Sequence, residues 1–124
     1  MADEITVAGR ISIRKGNLEH VFAPSSLLVD LASENAVGGN QVIGTNPESL
    51  VYNSTDVAAN GYAYFRNLST SATITINHAT STTAYTAFVR LEPGEFAIHR
   101  VASTSIHAQA STTTAVLQYL ILSP

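Results

Sequence analysis

Four histidines, His20, His78, His99 and His107, are the side chains best suited to bind a metal or move a proton at neutral pH. None stands in an H-x-H or H-E-x-x-H spacing, so no metal motif is visible. His99 and His107 fall on strands expected to be consecutive and could face each other across a hairpin; a surface histidine is the more ordinary reading of each. Acid–base chemistry needs two carboxylates that are close in space and differ in environment. Glu92 and Glu95 are the close acidic pair of the second half, but they flank Pro93-Gly94, and carboxylates beside such a turn are normally just solvated. A calcium ion would need more oxygen ligands than the neighbouring side chains offer. The chain has no cysteine, which removes disulfides, thiolate metal sites and a cysteine nucleophile. There is no G-x-S-x-G elbow, and Gly38-Gly39-Asn40 lacks the lysine and following helix of a phosphate loop. No enzyme and no cofactor are expected.

Two further groups of residues suggest binding rather than catalysis. Arg10, Arg14 and Lys15 cluster near the start, with Arg10 and Arg14 expected on one wet strand face. They read as a solvated face, or as a contact for an acidic partner surface. The aromatics Tyr62, Tyr64, Phe65, Tyr85, Phe88 and Phe96 concentrate in the middle of the chain. Tyr62 and Tyr64 should share a face, with Phe65 on the other. Exposed, such rings could stack on a sugar; buried, they fill a core.

The elements that must hold these residues have a period of two. Ile5, Val7, Gly9, Ile11 and Ile13 alternate with polar or small residues, which predicts one long strand with a buried face. Lys15-Gly16-Asn17 is a turn, and Leu18 to Phe22 the returning strand. Leu27, Val29 and Leu31 alternate again. Val37 to Asn40 reads as a loop and Gln41 to Gly44 as a short strand; Ser49 to Tyr52 can be a strand, and Asn53 to Asn60 a long connection. Further strands are expected over Tyr62 to Leu68, Ala72 to Asn77, Tyr85 to Leu91, Phe96 to Val101, Ile106 to Ala110 and Ala115 to Leu122. A turn at Ser69-Thr70-Ser71 and a polar turn from His78 to Thr83 separate some of them. Glu92-Pro93-Gly94-Glu95 is the strongest turn signal, with Pro and Gly placed for type II geometry.

About eight to ten strands in 124 residues would curl or split an open sheet into two layers. The fold class predicted is all-β: a single-domain antiparallel β-sandwich over residues 5–124, jelly-roll type favoured and an immunoglobulin-like sandwich the runner-up. The tryptophan and paired cysteines of a true immunoglobulin domain are absent. Residues 1–4 are polar, do not resemble a signal peptide, and read as an N-terminal arm. A formal net charge of −3 argues against a nucleic-acid partner. No stretch reaches membrane-span length. Only 12% of residues are charged while 45% are hydrophobic, which suits a surface partly covered by a partner, or a sandwich with Ser/Thr-rich faces.

Several stretches resemble small virion structural proteins of tailed bacteriophages, the kind that decorate a head shell or adapt one particle component to another. They are Lys15-Gly16-Asn17-Leu18, Asn40-Gln41-Val42-Ile43-Gly44-Thr45 with Glu48, Gly61-Tyr62-Ala63-Tyr64-Phe65-Arg66-Asn67-Leu68, Phe88 to Ala97, and Ala115 to Leu122. The resemblance implies a β-sandwich, no enzymatic activity, and a capsid decoration or cement protein that self-associates, trimers preferred. It implies docking on the major capsid protein or another virion protein, and a place on the capsid surface after synthesis in the host cytoplasm. A tail or adaptor component, or a carbohydrate- or receptor-binding module, is the alternative.

Overall fold

The structure, a computed structural model, describes residues 5–29, 36–51, 61–79, 84–101 and 105–122. Every regular element among them is a β-strand, and every strand pair is antiparallel. The chain divides into two compact units, one of Met1–Ser33 with Pro124 and one of Glu34–Ser123. The sandwich expected over residues 5–124 is therefore built from the second unit, and the N-terminal strands form a unit of their own.

In the first unit β1 (Ile5–Val7) pairs with β4 (Leu27–Val29), and β2 (Ile11–Lys15) pairs with β3 (Leu18–Phe22). The expected single strand from Ile5 to Arg14 is thus two, broken at Ala8-Gly9-Arg10. Its halves pair with different partners, so the chain must leave one ladder before joining the next. Gly9, with no side chain to pack, sits where it does so. The Gly16-Asn17 turn forms as expected, with Gly16 at φ +57°. The expected buried face does not form: all ten residues of β2 and β3 are exposed. Leu31 and the proposed arm, residues 1–4, lie outside the described residues.

The second unit holds two four-stranded sheets. One runs β10 (Phe96–Arg100), β7 (Tyr62–Asn67), β12 (Ala115–Leu122), β5 (Ala36–Ile43). The other runs β6 (Glu48–Ser49), β11 (Ile106–Ala110), β8 (Ile74–Ala79), β9 (Tyr85–Leu91). The pairing is nested: β5 with β12, β6 with β11, β7 with β10, and β8 with β9 at the apex. The long double ribbon is rolled so that β12 also pairs with β7, and β11 with β8. Alternate residues face inward, as the period of two requires. Ile43, Phe65, Ile74, Ile76, Ile106, Leu117 and Ile121 are fully buried between the sheets, with small Ala63, Ala72, Ala108 and Ala110 beside them. This is the expected all-β sandwich.

Three local expectations change. Val37 to Asn40 is not a loop; β5 is one eight-residue strand in register with β12 from Ala36↔Leu122 to Ile43↔Ala115. Gly38 serves close approach rather than turning, since a Cβ there would stand 2.4 Å from the Tyr119 carbonyl oxygen. Strand β9 carries a bulge: Val89 opposes Ile76 and Ala87 opposes Asn77, which leaves Phe88 unopposed. The strand over Ala72 to Asn77 begins two residues later, at Ile74, and runs to Ala79. The expected connection over 53–60 and the turn residues 80–83 lie outside the described residues.

The sheets are tied by one buried amide. Asn67, fully buried at the end of β7, donates through Nδ2 to the carbonyls of Ala72 (2.7 Å) and Leu91 (3.0 Å), which flank β8 and end β9 in the opposite sheet. Its Oδ1 accepts from Ser69 N at 2.9 Å and so shapes the Ser69–Ser71 connection. Its backbone N donates to Glu95 O and its carbonyl accepts from Gly94 N. The Glu92–Glu95 turn is thereby fixed, with Glu95 N donating to Glu92 O at 3.0 Å and Gly94 at φ +84°, as type II geometry requires.

Asn67→Leu keeps the volume and leaves two carbonyls and one amide unpaired, which should cost about 3 kcal/mol in urea unfolding. A loss under ~0.5 kcal/mol would show that the amide does not tie the sheets. Gly38→Ala should cost roughly 2 kcal/mol in the same assay, through displacement of β5 from β12.

Candidate functional site

The outward face of the β10–β7–β12–β5 sheet carries several exposed apolar side chains. Two rungs cross all four strands. One is Ile98, Tyr64, Leu120, Gly38; the next is Phe96, Arg66, Gln118, Asn40. Phe96 is 63% exposed and Val42 62%, and Ile98 and Leu120 are exposed too. The face has internal order. Tyr64 packs on Phe96 with ring centroids 6.4 Å apart, and its hydroxyl donates to Gln118 Oε1 at 3.2 Å. Arg100 lies over the Tyr62 ring at 4.7 Å. Because Gly38 carries no side chain, the first rung ends in an open depression of about 370 Å³, lined by Gly38, Gly39, Asn40, Tyr64, Gln118 and Leu120.

Tyr62 and Tyr64 share this half-buried face and Phe65 is in the core, as expected from the alternation. Tyr85 is not with them. It stands on β9, and the Phe88 bulge turns it to the outer face of the other sheet, where its ring meets His107 at 5.0 Å. The three-tyrosine cluster is therefore not assembled. Phe96 stands out in the sequence only as one of the mid-chain aromatics, and Ile98, Leu120 and Val42 do not stand out there at all. A signal for them exists: Ala115 to Leu122 is apolar at both parities, the mark of a strand whose two faces are both to be covered.

The cross-hairpin pairing of His99 and His107 that the sequence left open does not form. β10 and β11 follow each other in sequence but belong to different sheets, since nested pairing sends β10 to β7 and β11 to β6 and β8. His99 lies between Phe65 (6.0 Å) and Phe88 (5.6 Å). His99 Nε2 and His107 Nδ1 are buried and find no hydrogen-bond partner among the described residues. Among those residues no three His, Asp or Glu side chains come together as metal ligands. Desolvation holds the His99 pKa below its ordinary value of 6.5.

The carboxylates are committed to turns. Glu92 Oε2 accepts from Thr73 Oγ1 at 2.8 Å and Oε1 meets Arg90 at 2.7 Å; the Thr73 bond first, and the Arg90 charge with it, lower its pKa. Glu95 Oε2 accepts from Glu92 N, and Glu48 Oε2 from Gly44 N. The cationic group is dispersed. Arg10 lies in the β1–β2 connection rather than on a strand face, Arg14 stands opposite Glu19, and Lys15 is on the other face of β2 opposite Leu18. Arg10 and Arg14 therefore do not share the strand face expected of them, because the break at Gly9 takes Arg10 out of the ladder.

What this arrangement can do is hold a surface: an apolar, aromatic sheet face with two arginines and two amides. Comparison with known proteins finds no matching family model, no matching curated protein and no matching solved structure.

The His99 environment sets a pH dependence. With the folded pKa below the unfolded one, its share of stability is complete above pH 6.5 and is lost as pH falls from there through the depressed folded value. Urea unfolding of the wild type should weaken across that window more than that of His99→Phe. Equal slopes would refute the assignment.

Proposed function

We propose that this chain is a non-enzymatic structural protein of a tailed-bacteriophage virion, a decoration or cement protein that self-associates and docks on the major capsid protein at the capsid surface. The observation that carries the reading is the apolar outer face of the β10–β7–β12–β5 sheet, in a chain with only 12% charged residues. Monomers rarely leave such a patch uncovered, and a protein whose task is to stay attached has reason to carry one. The resemblance of the ordered strand-and-turn stretches to small virion proteins supports the choice of particle. The nested pairing supports the jelly-roll form of the sandwich over the immunoglobulin-like one, because an immunoglobulin fold divides its strands between sheets in a different order. Made in the host cytoplasm, such a protein would join the shell there.

A second reading is favoured by one observation. The depression beside Gly38 offers an aromatic ring, Tyr64, next to the amides of Asn40 and Gln118. An uncharged ligand with apolar faces and hydroxyl edges, such as a saccharide, matches those groups.

Shells of the encoding phage that lack the protein should bind it in co-sedimentation, and Phe96→Asp with Ile98→Asp should weaken binding at least ~100-fold while the circular dichroism stays unchanged. Binding to purified tails but not shells would replace decoration with an adaptor role. Binding to no particle fraction, with glycan binding lost in Tyr64→Ala, would establish the second reading.

A further inference from the structure

The ribbon β2–β3 is amphipathic. Its register places Ile11 opposite Phe22, Ile13 opposite His20 and Lys15 opposite Leu18 on one face, and Ser12 opposite Val21 and Arg14 opposite Glu19 on the other. The first face is an apolar stripe ending at Lys15 beside the turn. His20 and Phe22 stack along it at 6.0 Å. It is also open: Ile11 is 64% exposed and Phe22 61%, with Ile13 and Leu18 exposed between them. Cross-strand pairs of this kind hold a ribbon together. They do not make it stable alone, because a two-stranded ribbon in water is marginal.

The unit to which the ribbon belongs makes the shortage sharper. A compact unit of about 30 residues cannot enclose a core of its own, and units below roughly 40 residues ordinarily need disulfides, a metal or association with other copies. Disulfides are impossible in a chain without cysteine. Among the described residues no cluster of metal ligands exists. Burial against another protein surface remains. The exposed apolar side chains of this face, Ile11, Ile13, Leu18 and Phe22, present on the order of 450 Å², somewhat over half of the ~800 Å² per partner of a standard interface. The stripe is Ile, Leu and Phe with His20 among them and its one formal cation at the end. That is the composition of permanent interfaces, homomeric ones among them. An apolar stripe is also complementary to itself, so a symmetric contact needs no second surface.

We propose that the β2–β3 ribbon is the self-association element of this chain, and that its Ile11–Ile13–Leu18–Phe22 face packs against the same ribbon of other copies. This rests on the reading of a self-associating structural protein and names the residues responsible. The face that would meet a shell is a different one, on the sandwich.

The test uses the full chain. Light scattering over a roughly hundredfold range of concentration should show an oligomer, and Ile11→Asp with Phe22→Asp should weaken self-association at least ~100-fold. Ser12→Asp, on the polar face, should leave it unchanged. Because the chain has no cysteine, Ile13→Cys gives a probe that survives even if the Asp variant unfolds: mild oxidation should link copies covalently, while Ser12→Cys should not link them. A wild type that stays monomeric, or an oligomer whose Ile13→Cys form does not cross-link, overturns the proposal. Shell binding separates the two readings. Cross-linked oligomers that ignore shells leave the ribbon assignment standing and remove decoration, whereas a monomer that binds shells does the reverse.

Discussion

The amide of Asn67 is the contact on which the rest of the sandwich depends. A β-sandwich held by apolar contact alone has two sheets that can slide over each other, since burial has no direction. Asn67 supplies direction. One nitrogen reaches two carbonyls of the opposite sheet, one oxygen shapes the adjoining connection, and the backbone on either side of the same side chain holds the Glu92–Glu95 turn. Around it each sheet mixes large and small inward residues, Phe65 with Ala63 on β7 and Ile106 with Ala108 and Ala110 on β11, a mixture that lets close sheets interlock.

The distribution of polarity follows from that core. Inward positions are used up by the two sheets, so every apolar residue at the other parity must lie outside. Val42, Phe96, Ile98 and Leu120 do so on one sheet. The opposite sheet turns His107 and Gln109 outward from β11 and Thr75 and Arg90 from β8 and β9. The sandwich is thus two-sided: exposed aliphatic and aromatic side chains crowd one outer face beside Arg66 and Arg100, and mainly polar ones line the other.

Much of this was legible in the sequence where local chemistry decides the outcome. Glu92-Pro93-Gly94-Glu95 and Gly16-Asn17 have one good conformation each, and both form. Tyr62, Tyr64 and Phe65 sort to the correct faces because alternation is a property of the strand itself. The failures are those of partner choice. Nothing local says that Ile5–Val7 and Ile11–Lys15 pair with different strands, so their shared alternation looks like one element. Gly38 resembles a turn glycine until β12 is laid beside it. The Phe88 bulge moves Tyr85 across the sheet without any signal in the composition, and the His99–His107 pairing fails because consecutive strands go to different sheets. The candidate site was half visible, in its tyrosines. The other half lies in side chains whose exposure depends on which strand comes to lie beside them and on what covers each face, and no local signal gives either.

The nested pairing also governs how the molecule comes into being. The β8–β9 hairpin joins neighbours in sequence, whereas β5 must wait for β12, more than seventy residues downstream. Loop closure of that span is slow compared with hairpin formation. On the ribosome, β5 therefore emerges with its long edge and its glycines bare, and stays so until the end of the ladder has been synthesised. The sandwich closes from its apex outward and is sealed by its last strand, so the same winding that encloses its core gives the growing chain its longest interval of exposure.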